Sequence, residues 1–264
     1  MRALQRVDAR RGSLLLTLTL VVVAALGAGI WLKTARADDA GAQARQELST
    51  RYSVAPMERV PRRTALFIGD DFAAGFEGVY TYTYPYVICD AFDLNCNVDA
   101  ENGTGLISDG QSYSPSNSSL ANRLPRDQQI YDADLIIVDA GRNDIEAGVG
   151  VAAYGQAMEQ FLTEVKRTWP AATIAAIAPS PMTTQPYAKY GDIVSVLSYV
   201  TKSLGVVLID PIAEGWYNDV DIPENQIQFR DQYYPNQKGQ ALIAQKLAES
   251  LVDHRLVEQK LPRQ

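Results

Sequence analysis

Histidine is almost missing from this chain: His254 is the only one in 264 residues. Any reaction that needs an imidazole to carry a proton must therefore use that one residue. Cysteine is nearly as scarce. Cys89 and Cys96 are the only two, with no Cys-x-x-Cys pair and no Cys/His cluster, which excludes a structural zinc site. A surplus of positive charge is also lacking. The first 33 residues hold five of the 24 bases (Arg2, Arg6, Arg10, Arg11, Lys33) and one of the 31 acids (Asp8), leaving 19 bases against 30 acids beyond them. A surface charged at −11 repels phosphate backbones, so no nucleic-acid partner is expected, nor electrostatic adhesion to anionic lipid.

One long hydrophobic run is present. Residues 13–32 carry no charge and follow Arg10-Arg11. At 1.5 Å per residue such a helix spans about 30 Å, the thickness of a bilayer core. The basic flank predicts a cytoplasmic N-terminus (1–12), a transmembrane helix (13–32) and export of everything beyond. The competing reading is a signal peptide cut near Ala37, since Ala35-Arg36-Ala37 has the small-x-small form. The run exceeds the usual 7–15 residues of such signals, which favours a retained single-pass anchor. Residues 33–63 are polar, with Pro56, Pro61 and Arg62-Arg63, and read as a stalk. An exported domain makes a Cys89–Cys96 disulfide the expectation; two buried thiols are the cytosolic alternative.

From residue 64 to 252 apolar runs alternate with helix-period segments, and 253–264 reads as a tail. Strands are predicted at 65–69, 96–100, 134–140, 172–178 and 205–209, and helices at about 151–165, 186–204 and 236–252. Continuous apolar strands separated by helices signify a parallel sheet covered on both faces, an α/β/α sandwich. Ligands in such sheets bind at the carboxyl ends of the strands. Four segments fall there: Gly69-Asp70-Asp71, Glu101-Asn102-Gly103-Thr104-Gly105, Gly141-Arg142-Asn143-Asp144 and, before the last helix, Asp231-Gln232-Tyr233-Tyr234.

Together, in this order, the four segments resemble those of the SGNH (GDSL-type) hydrolase family. The resemblance implies a flavodoxin-like fold with a five-stranded parallel sheet and ester hydrolysis by a Ser-His-Asp set with an oxyanion hole. It implies no cofactor and no metal. Carried over position by position, the nucleophile is Asp71 in place of serine, the oxyanion donors are Gly103 and Asn143, the orienting acid is Asp231, and Tyr234 replaces the histidine. His254 lies twenty residues past Tyr234, about 30 Å along a helix, too far to substitute.

The expectation that follows is a non-hydrolytic relative. The Asp71 carboxylate would be held by the Gly103 N–H, the Asn143 amide and the Tyr234 hydroxyl, closing a cleft formed with Asp70. The plainer reading of Asp71 is a helix N-cap, and of Asp70 an acceptor for turn N–H groups. Asp70, Asp71, Asp144 and Asp231 as a divalent-cation site is a weaker alternative. The stretch 106–130 reads as a long polar insertion at the rim, and the alternation Tyr80, Tyr82, Tyr84, Tyr86 as half-buried packing or a platform. Two functions compete: binding or scaffolding towards an envelope glycan, lipid or protein, and acyl-ester hydrolysis in the envelope through a non-standard site.

Overall fold

The computed structural model describes residues 61–76, 82–218, 220–229 and 232–258. The expected anchor, the stalk up to Val60, Tyr80 and Asp231 lie outside the described residues. Among the described residues no helix is long and apolar enough to cross a membrane.

Five strands form one parallel sheet: β1 (Thr64–Gly69), β2 (Asn95–Ala100), β3 (Leu135–Asp139), β4 (Thr173–Ile177) and β5 (Val207–Ile209), in the order β2-β1-β3-β4-β5. Side chains alternate across a strand, so each strand feeds two cores. Leu66, Ile68, Ile136, Val138, Ile174 and Ala176 join one; Ala65, Phe67, Leu135, Ile137, Ala175 and Ile177 join the other. All five strand positions of β3 are buried, as a central strand covered on both faces requires.

The helices are α1 (Asp71–Ala74), α2 (Tyr84–Phe92), α3 (Leu120–Ile130), α4 (Arg142–Glu146), α5 (Val151–Thr168), α6 (Tyr190–Leu204) and α7 (Gln237–Asp253). Helices α5 and α6 present Met158, Phe161, Leu162, Ile193, Leu197 and Val200 to the first core. Helices α2 and α7 present Ile88, Cys89, Ile243, Leu247 and Leu251 to the second. This is the α/β/α sandwich expected from the pattern. Leu256 and Val257, placed by the sequence reading in the tail, are buried in the second core.

Two local expectations are corrected. The stretch 106–130 is not loop throughout: Ser119 caps α3, accepting from the Asn122 N–H, and α3 carries Pro125 inside it. A polar sequence with an internal proline hid this helix, whose buried side is Leu120, Arg123, Leu124 and Asp127. The described tyrosines of the alternation are not uniformly half-buried. Tyr84 opens α2 fully buried while Tyr82 and Tyr86 are exposed. Cys89 of α2 and Cys96 of β2 form the expected disulfide, with Cα atoms 5.7 Å apart. A small antiparallel hairpin, β6 (Gln226–Phe229) and β7 (Gln232–Pro235), precedes α7 and had no sequence forecast.

Candidate functional site

The order β2-β1-β3 makes β1 and β3 neighbours although β2 intervenes in sequence, so the crevice opens at their carboxyl ends. Gly69 pairs with Ala100 and with Asp139, which brings the segments after all three strands to one place.

Asp70 follows β1 and caps α1. Its Oδ1 accepts from the Phe72 N–H at 3.1 Å. The capping carboxylate is therefore Asp70, as an acceptor of turn N–H groups, and Asp71 is the first residue of α1 rather than its cap. The Asp71 carboxylate instead reaches across the crevice. Oδ1 accepts from the Gly103 N–H at 2.9 Å, and Oδ2 accepts from the Asn143 amide at 2.5 Å. Asn143 is aimed by a second bond, donated to the Thr104 carbonyl at 2.9 Å. Burial pushes the Asp71 carboxyl above the ordinary carboxylate range, against the two donors and Arg142, which pull it down.

The third expected donor, Tyr234, is buried on β7. Its ring stacks on Phe76, centroids 4.3 Å apart, and its hydroxyl lies 2.6 Å from the Tyr113 hydroxyl. Burial, Tyr113 and the nearby Asp71 charge all raise its pKa far above 10, so it is a hydrogen-bonding phenol and no base. Tyr113 was not singled out by the sequence. Its ring fills the space a side chain at position 103 would need: a Cβ there would stand 2.2 Å from Tyr113 Cδ2. With φ at +75°, position 103 demands glycine on both counts.

Asp144, offered above as a cation ligand, serves the loop. Its Oδ2 accepts from the Leu106 N–H at 2.7 Å, and its Oδ1 from those of Ile107 at 3.1 Å and Ser108 at 2.7 Å. Asp70 is likewise engaged, 3.2 Å from Arg142 Nη1. Among the described residues no group of three or more potential ligands could hold a metal ion.

Beneath the site runs a buried ion network that motif reading missed. Arg142 Nη1 lies 2.8 Å from Asp139 Oδ1, Nε donates to the Ser180 carbonyl at 2.8 Å, and the guanidinium sits 3.8 Å over the Phe72 ring. The Tyr84 hydroxyl donates to Asp139 Oδ2 at 2.7 Å. Burial opposes the Arg142 charge, but Asp139 and Asp70 outweigh it and lift its pKa well above the usual guanidinium value; burial drives Asp70 well up. A second buried guanidinium, Arg123 of α3, ties the corner to the donor loop. It donates to the Gly69 carbonyl at 3.1 Å, to Thr104 Oγ1 at 3.2 Å and to Asp99 Oδ2 at 2.7 Å.

His254 caps the far end of α7, 3.3 Å from Glu214. Seventeen helical residues, about 25 Å, separate that end from the Tyr234 side. The crevice itself is not closed. Beside Asp71 it keeps a cavity of about 330 Å³, walled by Phe72, Met182, Tyr187 and Ile222 with Asn143 and Glu146 at its polar edge. Glu146 is exposed, and no motif signalled it.

The GDSL-like lipase/acylhydrolase family matches this chain over residues 67–242. Solved structures of similar fold include a lipase/acylhydrolase from Enterococcus faecalis (14% identity, TM-score 0.56, 75% of this chain and 99% of that one). A psychrotrophic esterase from Pseudoalteromonas sp. is similar at 16% identity and TM-score 0.57, covering 74% and 99%. A carbohydrate acetylesterase from Sinorhizobium meliloti is similar at 13% identity and TM-score 0.55, covering 73% and 100%. At these identities the likeness speaks for the fold. No curated protein matches the chain by sequence.

Proposed function

Since this chain belongs to the GDSL-like lipase/acylhydrolase family, we propose that it keeps the family's cleft as a binding site and has given up the hydrolysis. One observation carries the reading: the Asp71 carboxylate sits on the Gly103 N–H and the Asn143 amide. Oxyanion-hole donors stabilise a transition state only if they are free to receive the charge that develops there. Here a resident anion holds them in the ground state. Acyl transfer also needs a base within reach of the nucleophile, and Tyr234, at the histidine position, is a phenol with a raised pKa.

Binding would occur in the cavity beside Asp71, towards an envelope glycan, lipid or protein. The 13–32 run would tether the domain to the membrane, with the domain outside the cytoplasm. The Cys89–Cys96 disulfide supports an oxidising compartment.

The test is turnover of p-nitrophenyl acetate by the full chain. Wild type should give none and should not be labelled by a serine-reactive fluorophosphonate. Asp71→Ser with Tyr234→His should gain measurable turnover, because the donors are then vacated and a base supplied. Turnover by wild type that Asp71→Ala abolishes would refute the binding reading and establish the rival one, an envelope esterase working through Asp71.

A further inference from the structure

We propose that Asp99 and Asp127 form a pH-sensitive clasp between β2 and α3, and that loss of the proton they share acts through Arg123 on the Gly103 donor of the cleft. The device lies apart from the ligand cavity and holds whether the cleft binds or hydrolyses. Its geometry is that of two carboxylates brought to one cation. Asp127 Oδ1 lies 3.1 Å from Arg126 Nη2, and the same nitrogen contacts Asp99 Oδ1. Asp127 is fully buried and Asp99 nearly so, while the Arg126 side chain is half exposed. Asp127 Oδ2 is buried with no donor among the described residues, and the Asp99 carboxylate is within hydrogen-bond reach of this group. Two ionised carboxylates cannot satisfy each other. One proton between them can: Asp127 then donates and Asp99 accepts.

Among the described residues, the other charged or titratable groups around the pair are Glu101 past the end of β2, Arg123 of α3, Tyr131 after it and Tyr86 of α2. Helix α5 meets α3 through the neutral Thr168, which accepts from Gln128 Nε2 at 2.7 Å. Burial and the Asp99 charge push the Asp127 carboxyl up to about 7, against the pull of Arg126, so the proton leaves near neutral pH. Arg123 joins the pair to the site. Its Nε donates to Asp99 Oδ2 at 2.7 Å, its Nη2 to the Gly69 carbonyl at 3.1 Å and its Nη1 to Thr104 Oγ1 at 3.2 Å. Gly69 leads into Asp70-Asp71, and Thr104 follows Gly103, whose N–H donates to Asp71. One guanidinium therefore spans Asp99 and both sides of the Asp71–Gly103 bond. Ionised Asp127 places a second negative charge beside Asp99 and divides Arg126 between two carboxylates, so Asp99 draws harder on Arg123. A rigid planar fork cannot turn towards Asp99 without moving its bonds to Gly69 and Thr104.

The test follows the Gly103 and Thr104 amide resonances and the Asp127 carboxyl carbon of the full chain by NMR, from roughly pH 5 to roughly pH 9. All three should shift together, with a midpoint near 7. Asp127→Asn, which keeps the shape of the side chain, should abolish that step at both amides. Arg126→Gln, at a half-exposed side chain, should move the midpoint upward at all three resonances, because the cation that favours the ionised pair is gone. A carboxyl carbon that does not titrate in this range would overturn the proposal. So would a titrating carboxyl beside amides that stay still, or an amide step that survives Asp127→Asn, which would then belong to Asp71. Should Asp127→Asn fail to fold, wild type and Arg126→Gln decide between them: amide and carboxyl midpoints that do not move together would refute the coupling.

Discussion

Asp144 gives the sharpest test of how the site is supported. Its carboxylate is fully buried and accepts three backbone N–H groups, those of Leu106, Ile107 and Ser108, at 2.7, 3.1 and 2.7 Å. Asp144→Ala leaves all three donors facing a vacated space. A buried donor without a partner costs about 1–3 kcal/mol, and water entering the gap favours the lower end, so the sum is about 3–5 kcal/mol. Asp144→Asn keeps one acceptor oxygen and turns an amide N–H₂ towards the donors on the other side, so about half that loss is expected. The assay is urea unfolding of the full chain followed by tryptophan fluorescence. With a slope of about 2 kcal/mol/M, Asp144→Ala should lower the midpoint by roughly 2 M, and Asp144→Asn by roughly 1 M. A midpoint unchanged within about 0.3 M for the alanine variant would refute the reasoning, because the loop would then be held by something other than this carboxylate.

Two further outcomes follow from the same structure. Replacing Cys89 and Cys96 by alanine opens a loop of about eight residues, worth about 2.5 kcal/mol in chain entropy, and should lower the thermal midpoint by about 5–10 °C; an unchanged midpoint would show that α2 and β2 hold without the bridge. The second concerns pH. The Asp127 carboxyl is pushed up to about 7, chiefly by burial and by the neighbouring Asp99 charge, and its buried Oδ2 has no hydrogen-bond donor among the described residues. The folded protein thus keeps a proton that the unfolded chain has already released, so this group's contribution to stability falls as pH rises from about 4 to about 7. Asp127→Asn removes that dependence. Its stability relative to wild type should grow across this window by on the order of 2 kcal/mol and level off above it; a difference flat in pH would refute the assignment.

Much of the site was legible because the fold places strand ends together and the motifs sit at strand ends. Gly69-Asp70-Asp71, Gly103 and Asn143 were recognisable by type and order, and the Asp71 contacts to Gly103 and Asn143 follow from that placement. The meeting of Tyr234 with Tyr113 was not legible, since the two are 121 residues apart and Tyr113 lies in a polar stretch with no periodicity. The role of Asp144 was not legible for a related reason. A carboxylate after a strand looks the same in sequence whether it faces a cation, solvent or three backbone N–H groups.

The sequence by itself determined the α/β class, the sites of the five strands, the corner residue Asp71 and the remoteness of the single histidine. Local periodicity and residue type suffice for these, because strand and helix patterns are written over a few neighbouring residues. Tertiary structure alone decided that Asp70 caps the helix while Asp71 occupies the donors, that Arg142 is paired with Asp70 and Asp139 from below, and that a cavity beside Asp71 remains open. Those outcomes depend on which distant side chains share a buried volume and on how their charges add within it, and no local pattern in the chain encodes that sum.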